Sequence, residues 1–157
     1  MELEVDAAAA EAARKRREEQ LQRQEEENKL RERRKSPEGL GRLMFEAVQK
    51  NDGGLFVKCL IGSADGLFLF ASSGEQEVKL TYNAYNRLWR ARASTFPDAA
   101  QGEFVRLEGS ESQGKRAKEV REAVLVYTAG GQERSVPLGY LVQVQDGSWK
   151  AYRIESE

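Results

Sequence analysis

Hydrophobic positions along the chain change their spacing near residue 100, which predicts helices first and strands afterwards. Apolar side chains recur every three or four residues at 40–48 and again at 78–89, the spacing of a helix with one buried face. Over residues 123–154, three apolar-rich runs are separated by Gly130-Gly131 and Asp146-Gly147. Both dipeptides are typical of tight hairpin turns. The last third of the chain is therefore predicted to be a three-strand antiparallel meander.

Turn signals divide the first half of the chain into segments. Ser36 followed by Pro37 predicts a helix N-cap and first turn, and the run of Asn, Asp and two glycines at 51–54 predicts its end. The wholly apolar run at 67–71 is too short for its period to distinguish helix from strand. The other predicted segments are a short helix at 55–61, a long helix at 75–93, a strand at 103–108, a polar loop at 109–114 and a solvated hairpin tip carrying Lys115, Arg116 and Lys118.

A register for the last hairpin follows if Asp146-Gly147 forms a two-residue turn. Val144 would then lie opposite Trp149. The predicted core face carries Leu138, Tyr140, Val142, Val144, Trp149 and Ala151, and the predicted second face carries Leu141, Gln143, Lys150, Tyr152 and Ile154. Because Leu141, Tyr152 and Ile154 are large and apolar, we expect that second face to be a protein interface.

The order of elements predicts an α+β fold in which helices pack on a curved antiparallel sheet. Residues 1–35 differ from the rest, since they hold strong helix formers, many charges and neither glycine nor proline. Leu21 and Leu30 are nine residues apart, which is not a heptad spacing, so a coiled coil is not expected. The predicted domains are a charged helical or partly disordered extension at 1–35 and a folded domain at 36–157. A partner-binding role for the extension stays open.

Composition narrows the possible chemistry. The chain has 157 residues, a formal net charge of −1, one cysteine and no histidine. An intrachain disulfide, a Cys/His zinc site and a Ser-His-Asp unit therefore cannot form. We expect Cys59 to be a buried core residue. Catalysis by Asp, Glu, Lys or Tyr stays possible. Whether the chain is an enzyme is therefore uncertain, and the missing histidine favours a non-enzymatic protein. We expect no cofactor or metal.

Charge and hydropathy also bear on partners and location. The near-neutral charge gives no reason to expect nucleic-acid binding. No apolar run reaches the length of a transmembrane helix. If Met1 is the native start, the absence of a signal-peptide pattern predicts a cytoplasmic protein; if the chain is truncated, export or membrane anchoring stays open. A protein partner or a homodimer is the expected association.

The element order, an Asn51-Asp52 turn after the first helix and the closing sequence DGSWK at 146–150 resemble the nuclear transport factor 2-like superfamily, and its small bacterial members in particular. The resemblance covers residues 36–154. It implies a cystatin-like α+β roll whose sheet wraps around the long helix and leaves a cone-shaped cavity. Members of the superfamily include isomerases, dehydratases and cyclases as well as non-catalytic binding modules.

Five aromatic side chains are the candidate ligand-binding residues. Tyr82, Tyr85 and Trp89 share one stripe of the long helix, and we expect them to face Tyr140 and Trp149 across a cavity. An ordinary aromatic core is the alternative. The leading functional hypothesis is a non-catalytic binding or assembly module that acts through the second sheet face. The alternative is a small-molecule binder or a cavity-based enzyme of the isomerase or dehydratase type.

Overall fold

The computed structural model describes the backbone of residues 2–152 and the side chains of residues 6–152. Six α-helices precede a four-stranded sheet, which confirms the predicted α+β class. The helices are α1 Glu2–Arg33, α2 Pro37–Gln49, α3 Gly53–Lys58, α4 Ser63–Phe70, α5 Gly74–Arg90 and α6 Arg92–Thr95, and the strands are β1 Glu103–Gln113, β2 Lys118–Ala129, β3 Gln132–Gln143 and β4 Trp149–Tyr152.

The chain divides into two compact units, Met1–Glu32 and Arg33–Glu157. The first consists of the charged part of α1, in which the described side chains are almost all exposed, including Leu21 at 58%. Strong helix formers and charge pairs such as Arg14–Glu11, 3.7 Å apart, favour this helix without an apolar face. Among its described residues, the chain has no helix with the length and apolar content that a membrane span requires.

Helix α2 begins and ends as its sequence predicts. The Ser36 hydroxyl accepts a hydrogen bond of 3.0 Å from the N–H of Gly39, and Pro37 occupies the first turn. Asn51 follows the helix with a φ of 55°, a left-handed conformation that asparagine adopts more readily than most residues. The apolar stripe packs on β1, β2 and β4, and its buried side chains are Leu40, Leu43, Met44, Phe45 and Ala47.

The sheet is an antiparallel meander in the order β1-β2-β3-β4. Gly130 and Gly131 have φ angles of 60° and 76° and form the predicted two-residue turn between β2 and β3. The predicted loop at 109–114 is wrong, because β1 continues through Gln113 and pairs there with Lys118. Irregularities in the β1–β2 and β2–β3 pairings interrupt the regular ladder, and such irregularities bend a sheet.

The predicted register of the last hairpin is wrong by one residue. Gln143 lies opposite Trp149 and Leu141 lies opposite Ala151. The loop contains three residues, 145–147. The Val144 N–H donates to the carbonyl of Ser148, and the Val144 carbonyl accepts from the N–H of Gly147. A one-residue shift moves every side chain of a strand to the other face.

This shift corrects the predicted interface. Leu141 is completely buried beside its cross-strand partner Ala151, so it does not lie on an exposed face. Tyr152 lies on the opposite face, directly across from Tyr140. Ile154 is outside the described residues. Tyr140 and Val142, predicted to share the face of Trp149, instead share the face of Tyr152 and Lys150.

Helices of the chain itself cover the face that carries Val142. Val142 and Val144 form a small core with Ile61 and Val78, and the partly buried side chains of Leu69, Phe70, Ala117 and Tyr152 pack against it. Lys150 on this face donates to the Asp65 carboxylate of α4 over 2.8 Å. Helices α4 and α5 therefore cover this sheet face around Val142, Val144 and Lys150.

The outer edge of β4 is also paired. Ala151 donates its N–H to the carbonyl of Cys59 over 2.8 Å, and its carbonyl accepts from the N–H of Ile61 over 3.1 Å. The segment after α3 thus forms a short parallel bridge along β4. This pairing removes an exposed strand edge on which another chain could add.

Candidate functional site

Three of the five predicted aromatic side chains come together in a groove between α3 and α5. The groove has a volume of about 380 Å³. We call it the helix groove; its lining residues are Gly53, Phe56, Val57, Leu60, Tyr82, Asn83, Tyr85, Asn86 and Trp89. Its size falls in the range of ordinary ligand pockets, and its lining includes no side chain that is ionised at neutral pH.

The spacing of α5 explains how its side of the groove forms. Positions 82, 85, 86 and 89 recur at i, i+3, i+4 and i+7 and so lie on one face of the helix. Tyr85 is fully buried and forms the floor, while Tyr82 is 37% exposed at the rim. Across the groove, Val57 of α3 is 48% exposed. Val57 and Tyr82 are two of only four large hydrophobic side chains that are exposed among the described residues.

Two neighbours hold the Trp89 ring. The ring of Phe56 lies 5.0 Å from it, centroid to centroid, and the Arg92 guanidinium carbon lies over the indole, 4.5 Å from its centroid, as a cation–π partner. Arg92 in turn donates to the Trp89 carbonyl over 2.8 Å and to the Asn51 side chain over 3.0 Å. The indole is therefore held in place before any ligand arrives, which lowers the entropy cost of binding.

Tyr85 has a structural role in the floor of the groove. Its hydroxyl donates to the carbonyl oxygen of Leu138 in the sheet. Burial raises the pKa of Tyr85 far above its usual value, so the phenol stays protonated at neutral pH. A phenol in this state is a poor general base.

Tyr140 and Trp149, the other two predicted lining residues, do not line the groove. Tyr140 stacks on Tyr152 with ring centroids 5.1 Å apart and an interplanar angle of 20°. Trp149 is 3% exposed and lies opposite Gln143. The one-residue register shift separates these two side chains onto different faces, whereas the predicted cavity required both on one face.

The sequence prediction missed the α3 side of the groove. Phe56 and Val57 belong to the apolar run LFVKCLI, which predicted a short helix but gave no sign of which residues would face α5. A six-residue helix is too short for an apolar stripe to define its buried face.

Cys59 is the buried core residue that the sequence predicted. It is completely buried, and its Sγ lies 3.5 Å from the carbonyl oxygen of Leu55. Burial raises the pKa of the thiol to about 12, so almost no thiolate is present at neutral pH. This environment does not suit a nucleophile.

Cationic side chains flank the apolar lining. Lys58 follows Val57 along α3, while Lys79 and Arg90 adjoin the Tyr82–Trp89 stripe on α5; all three cations are exposed. The nearest carboxylate in sequence is Asp52, which caps α3 by accepting from the N–H of Leu55 over 3.1 Å. In sequence, these three cations and the one carboxylate of Asp52 adjoin the apolar lining, an excess of two positive charges.

Comparison of the chain with protein-family models, with curated proteins and with solved structures found no match.

Proposed function

We propose that the protein is a non-catalytic binding module that accepts an apolar segment of a protein partner in the helix groove. The observation that carries this proposal is that Val57 and Tyr82, both exposed, line one groove together with an indole held by Phe56 and Arg92. Exposed apolar side chains grouped in a groove mark interaction sites, whereas scattered ones do not. The proposed binding surface lies on the helices and not on the predicted sheet face, because Leu141 is completely buried and α4 and α5 pack against the face that carries Tyr152.

Cations next to an apolar lining favour a partner that carries both apolar and acidic side chains. We infer that the occupant is an acidic amphipathic helix whose apolar stripe lies on Tyr82, Trp89 and Val57. Seven residues separate Tyr82 from Trp89, so the stripe spans roughly 10 Å, or two helical turns. A partner helix would meet it with anchors at i, i+3 or i+4 and i+7. Acidic side chains flanking those anchors would then lie near Lys58, Lys79 and Arg90.

Membership of the nuclear transport factor 2-like superfamily stays part of this proposal. It is supported by the helices-then-meander order of an α+β domain with a long aromatic helix. The enzyme and small-molecule alternatives have less support at the helix groove, because its lining holds no ionised group and Tyr85 stays protonated. An enzyme would need an acid or base converging with a hydrogen-bond donor there.

Two designed peptides test the proposal. Both carry the same leucine and phenylalanine stripe at i, i+3, i+4 and i+7; one has glutamate at the remaining positions and the other has lysine. Trp89 reports binding, since Trp149 is 3% exposed and buried elsewhere. We expect the acidic peptide to change the Trp89 emission and to bind at least about tenfold more tightly than the basic one, with affinity falling as salt rises.

A matched pair of variants locates the binding. Tyr82→Glu places a negative charge in the groove and should abolish binding of the acidic peptide. Leu67→Glu places the same charge on α4, where Leu67 is 68% exposed outside the groove, and should leave binding unchanged. Equal affinity for both peptides, no binding of the acidic peptide at millimolar concentration, or equal effects of the two variants would each overturn the proposal.

A further inference from the structure

A second concave site lies at the C-terminal end of α4 and is separate from the helix groove. It is bounded by the end of α4, the tip of the β1–β2 hairpin and the face of β3 and β4 that carries Val142, and its volume is about 370 Å³. We call it the hairpin pocket; the lining residues that matter here are Phe70, Lys115, Arg116, Glu119, Arg121 and Tyr152. None of its lining residues belongs to the helix groove.

The floor of the hairpin pocket is aromatic and apolar. The ring centroids of Phe70 and Tyr152 lie 5.5 Å apart, and Tyr140 stacks on Tyr152 with centroids 5.1 Å apart. Val142 lies beside them in the lining. Because these side chains also pack against the small core behind α4, the floor is held rigid. A flat apolar body would find ring faces and edges here to pack against.

Three cations and one carboxylate surround that floor. The carboxylate of Glu119 is engaged twice, by the Arg121 Nε at 2.9 Å and by the Tyr152 hydroxyl at 3.4 Å. Arg121 has further N–H donors beyond the one that it gives to Glu119. Lys115 and Arg116 carry the remaining positive charge. The charged lining therefore has an excess of two positive charges, since one carboxylate offsets one of three cations.

The hairpin tip is tied to α4, which holds these cations over the pocket. Arg116 Nη1 lies 3.4 Å from the carbonyl oxygen of Phe68, near the C-terminal end of α4. A cation is favoured at that end of a helix, where carbonyl groups lack intrahelical partners. The N–H of Gly114 closes the turn by donating to the Ala117 carbonyl over 2.8 Å. The sequence predicted only a solvated tip, because the contact with α4 is not visible in the local pattern.

Tyr152 supplies a neutral polar group at the edge of the floor. Burial and the neighbouring Glu119 carboxylate raise the pKa of its hydroxyl well above the usual value. The hydroxyl therefore keeps its proton at neutral pH and donates it to Glu119, while its oxygen can accept a hydrogen bond from a donor on a ligand.

We propose that the hairpin pocket binds a small aromatic carboxylate, with its ring on Phe70 and Tyr152 and its carboxylate between Lys115, Arg116 and Arg121. The aromatic floor selects the body of the ligand, and the excess positive charge selects the anionic head. The pocket volume of about 370 Å³ accommodates a molecule with a single ring or two fused rings. This site is independent of the proposed helix groove, and either can exist without the other.

The test compares naphthalene-2-carboxylate with naphthalene-2-carboxamide on the full chain by NMR titration. The two probes share a ring system and differ in charge, so their difference isolates the contribution of the cations. We expect the carboxylate to bind about tenfold more tightly or better, because hydrogen bonds to charged groups contribute more than neutral ones. Shifted resonances should map to Phe70, Tyr152 and the residues of the hairpin tip.

Variants on the same hairpin separate charge from structure. The double variant Lys115→Gln, Arg116→Gln should weaken carboxylate binding about tenfold or more and leave carboxamide binding unchanged. Lys118→Gln is the matched control, since Lys118 is exposed on the same hairpin but does not line the pocket. Arg116→Lys keeps the charge and should retain most of the affinity, even if the bond to Phe68 is lost.

Several results would overturn the proposal. Equal affinity for the two probes would show an apolar site without charge selection. No carboxylate binding at 5–10 mM, roughly the limit of a useful interaction, would show that the pocket takes no such ligand. Shifts confined to Tyr82 and Trp89 would assign binding to the helix groove. A preference for naphthyl phosphate over the carboxylate by about tenfold would replace the carboxylate with a phosphate monoester.

Discussion

The backbone N–H of Trp149 donates a hydrogen bond of 2.6 Å to the carbonyl oxygen of Arg34. Arg34 is 8% exposed, and its neighbour Arg33 pairs with the carboxylate of Glu46. Hydrogen bonds from Lys50 and Arg33 lower the pKa of Glu46, so the carboxylate is ionised at neutral pH. The folded unit therefore begins at Arg33, three residues before the boundary that the sequence predicted at Ser36.

Two truncations that differ by three residues test this boundary. Deleting residues 1–32 should leave the free energy of unfolding nearly unchanged, because almost all of the side chains described at 6–32 are exposed and add little buried surface. Deleting residues 1–35 also removes the acceptor for the Trp149 N–H and should cost about 1–3 kcal/mol, the usual penalty for an unpaired buried group. Urea denaturation of both forms measures the difference. Equal stability of the two would show that the Arg34 carbonyl contributes nothing.

The loop length of the last hairpin could not be predicted from the sequence of the turn alone. Asp146-Gly147 correctly predicted the place of the turn, but the dipeptide fits both a two-residue turn and a three-residue loop with a bulge. Gly147 has a φ of 87° and Asp146 has no positive φ, which matches the three-residue form. The Asp146 carboxylate accepts from the Ser148 N–H over 2.9 Å and stabilises this loop. Gly130-Gly131, with both φ angles positive, had no such ambiguity.

The helix groove was predictable on one side only. The 3.6-residue period placed Tyr82, Tyr85 and Trp89 on one face of α5, and the structure keeps them together. The residues on the other side of the groove could be predicted only from the register of the meander. The one-residue error placed Tyr140 and Trp149 there, whereas in the structure α3 supplies Phe56. Local periodicity determines which face a helix buries, but long-range pairing determines what that face meets.

Two leucine truncations test the corrected register. Leu141→Ala should cost about 2–5 kcal/mol, because Leu141 is completely buried and its truncation leaves a cavity. Leu67→Ala removes the same atoms from a side chain that is 68% exposed, and should change stability by less than about 0.5 kcal/mol. Chemical denaturation measures both. If Leu141→Ala lowered the free energy of unfolding as little as Leu67→Ala, the register predicted from the sequence, with Leu141 on the outer face, would be correct.

The buried Cys59 thiol predicts a loss of stability in alkaline solution. Its pKa is about 12 in the folded protein, because burial opposes the thiolate, and about 8.5 in an unfolded chain. Between these values the unfolded chain has released the proton while the folded protein retains it. The free energy of unfolding therefore falls as the pH rises above about 8.5, and below that pH the thiol contribution is fully present.

Cys59→Ala isolates this effect from the tyrosines that titrate at higher pH. The substitution leaves a small cavity whose cost does not depend on pH, so only the change between two pH values matters. From pH 7.5 to 9.5 we expect wild type to lose about 1.4 kcal/mol more than Cys59→Ala, as the unfolded-state pKa requires. Urea denaturation at both pH values measures this difference. Parallel losses in the two proteins would mean that the thiol titrates alike in both states, and would place Cys59 in contact with water.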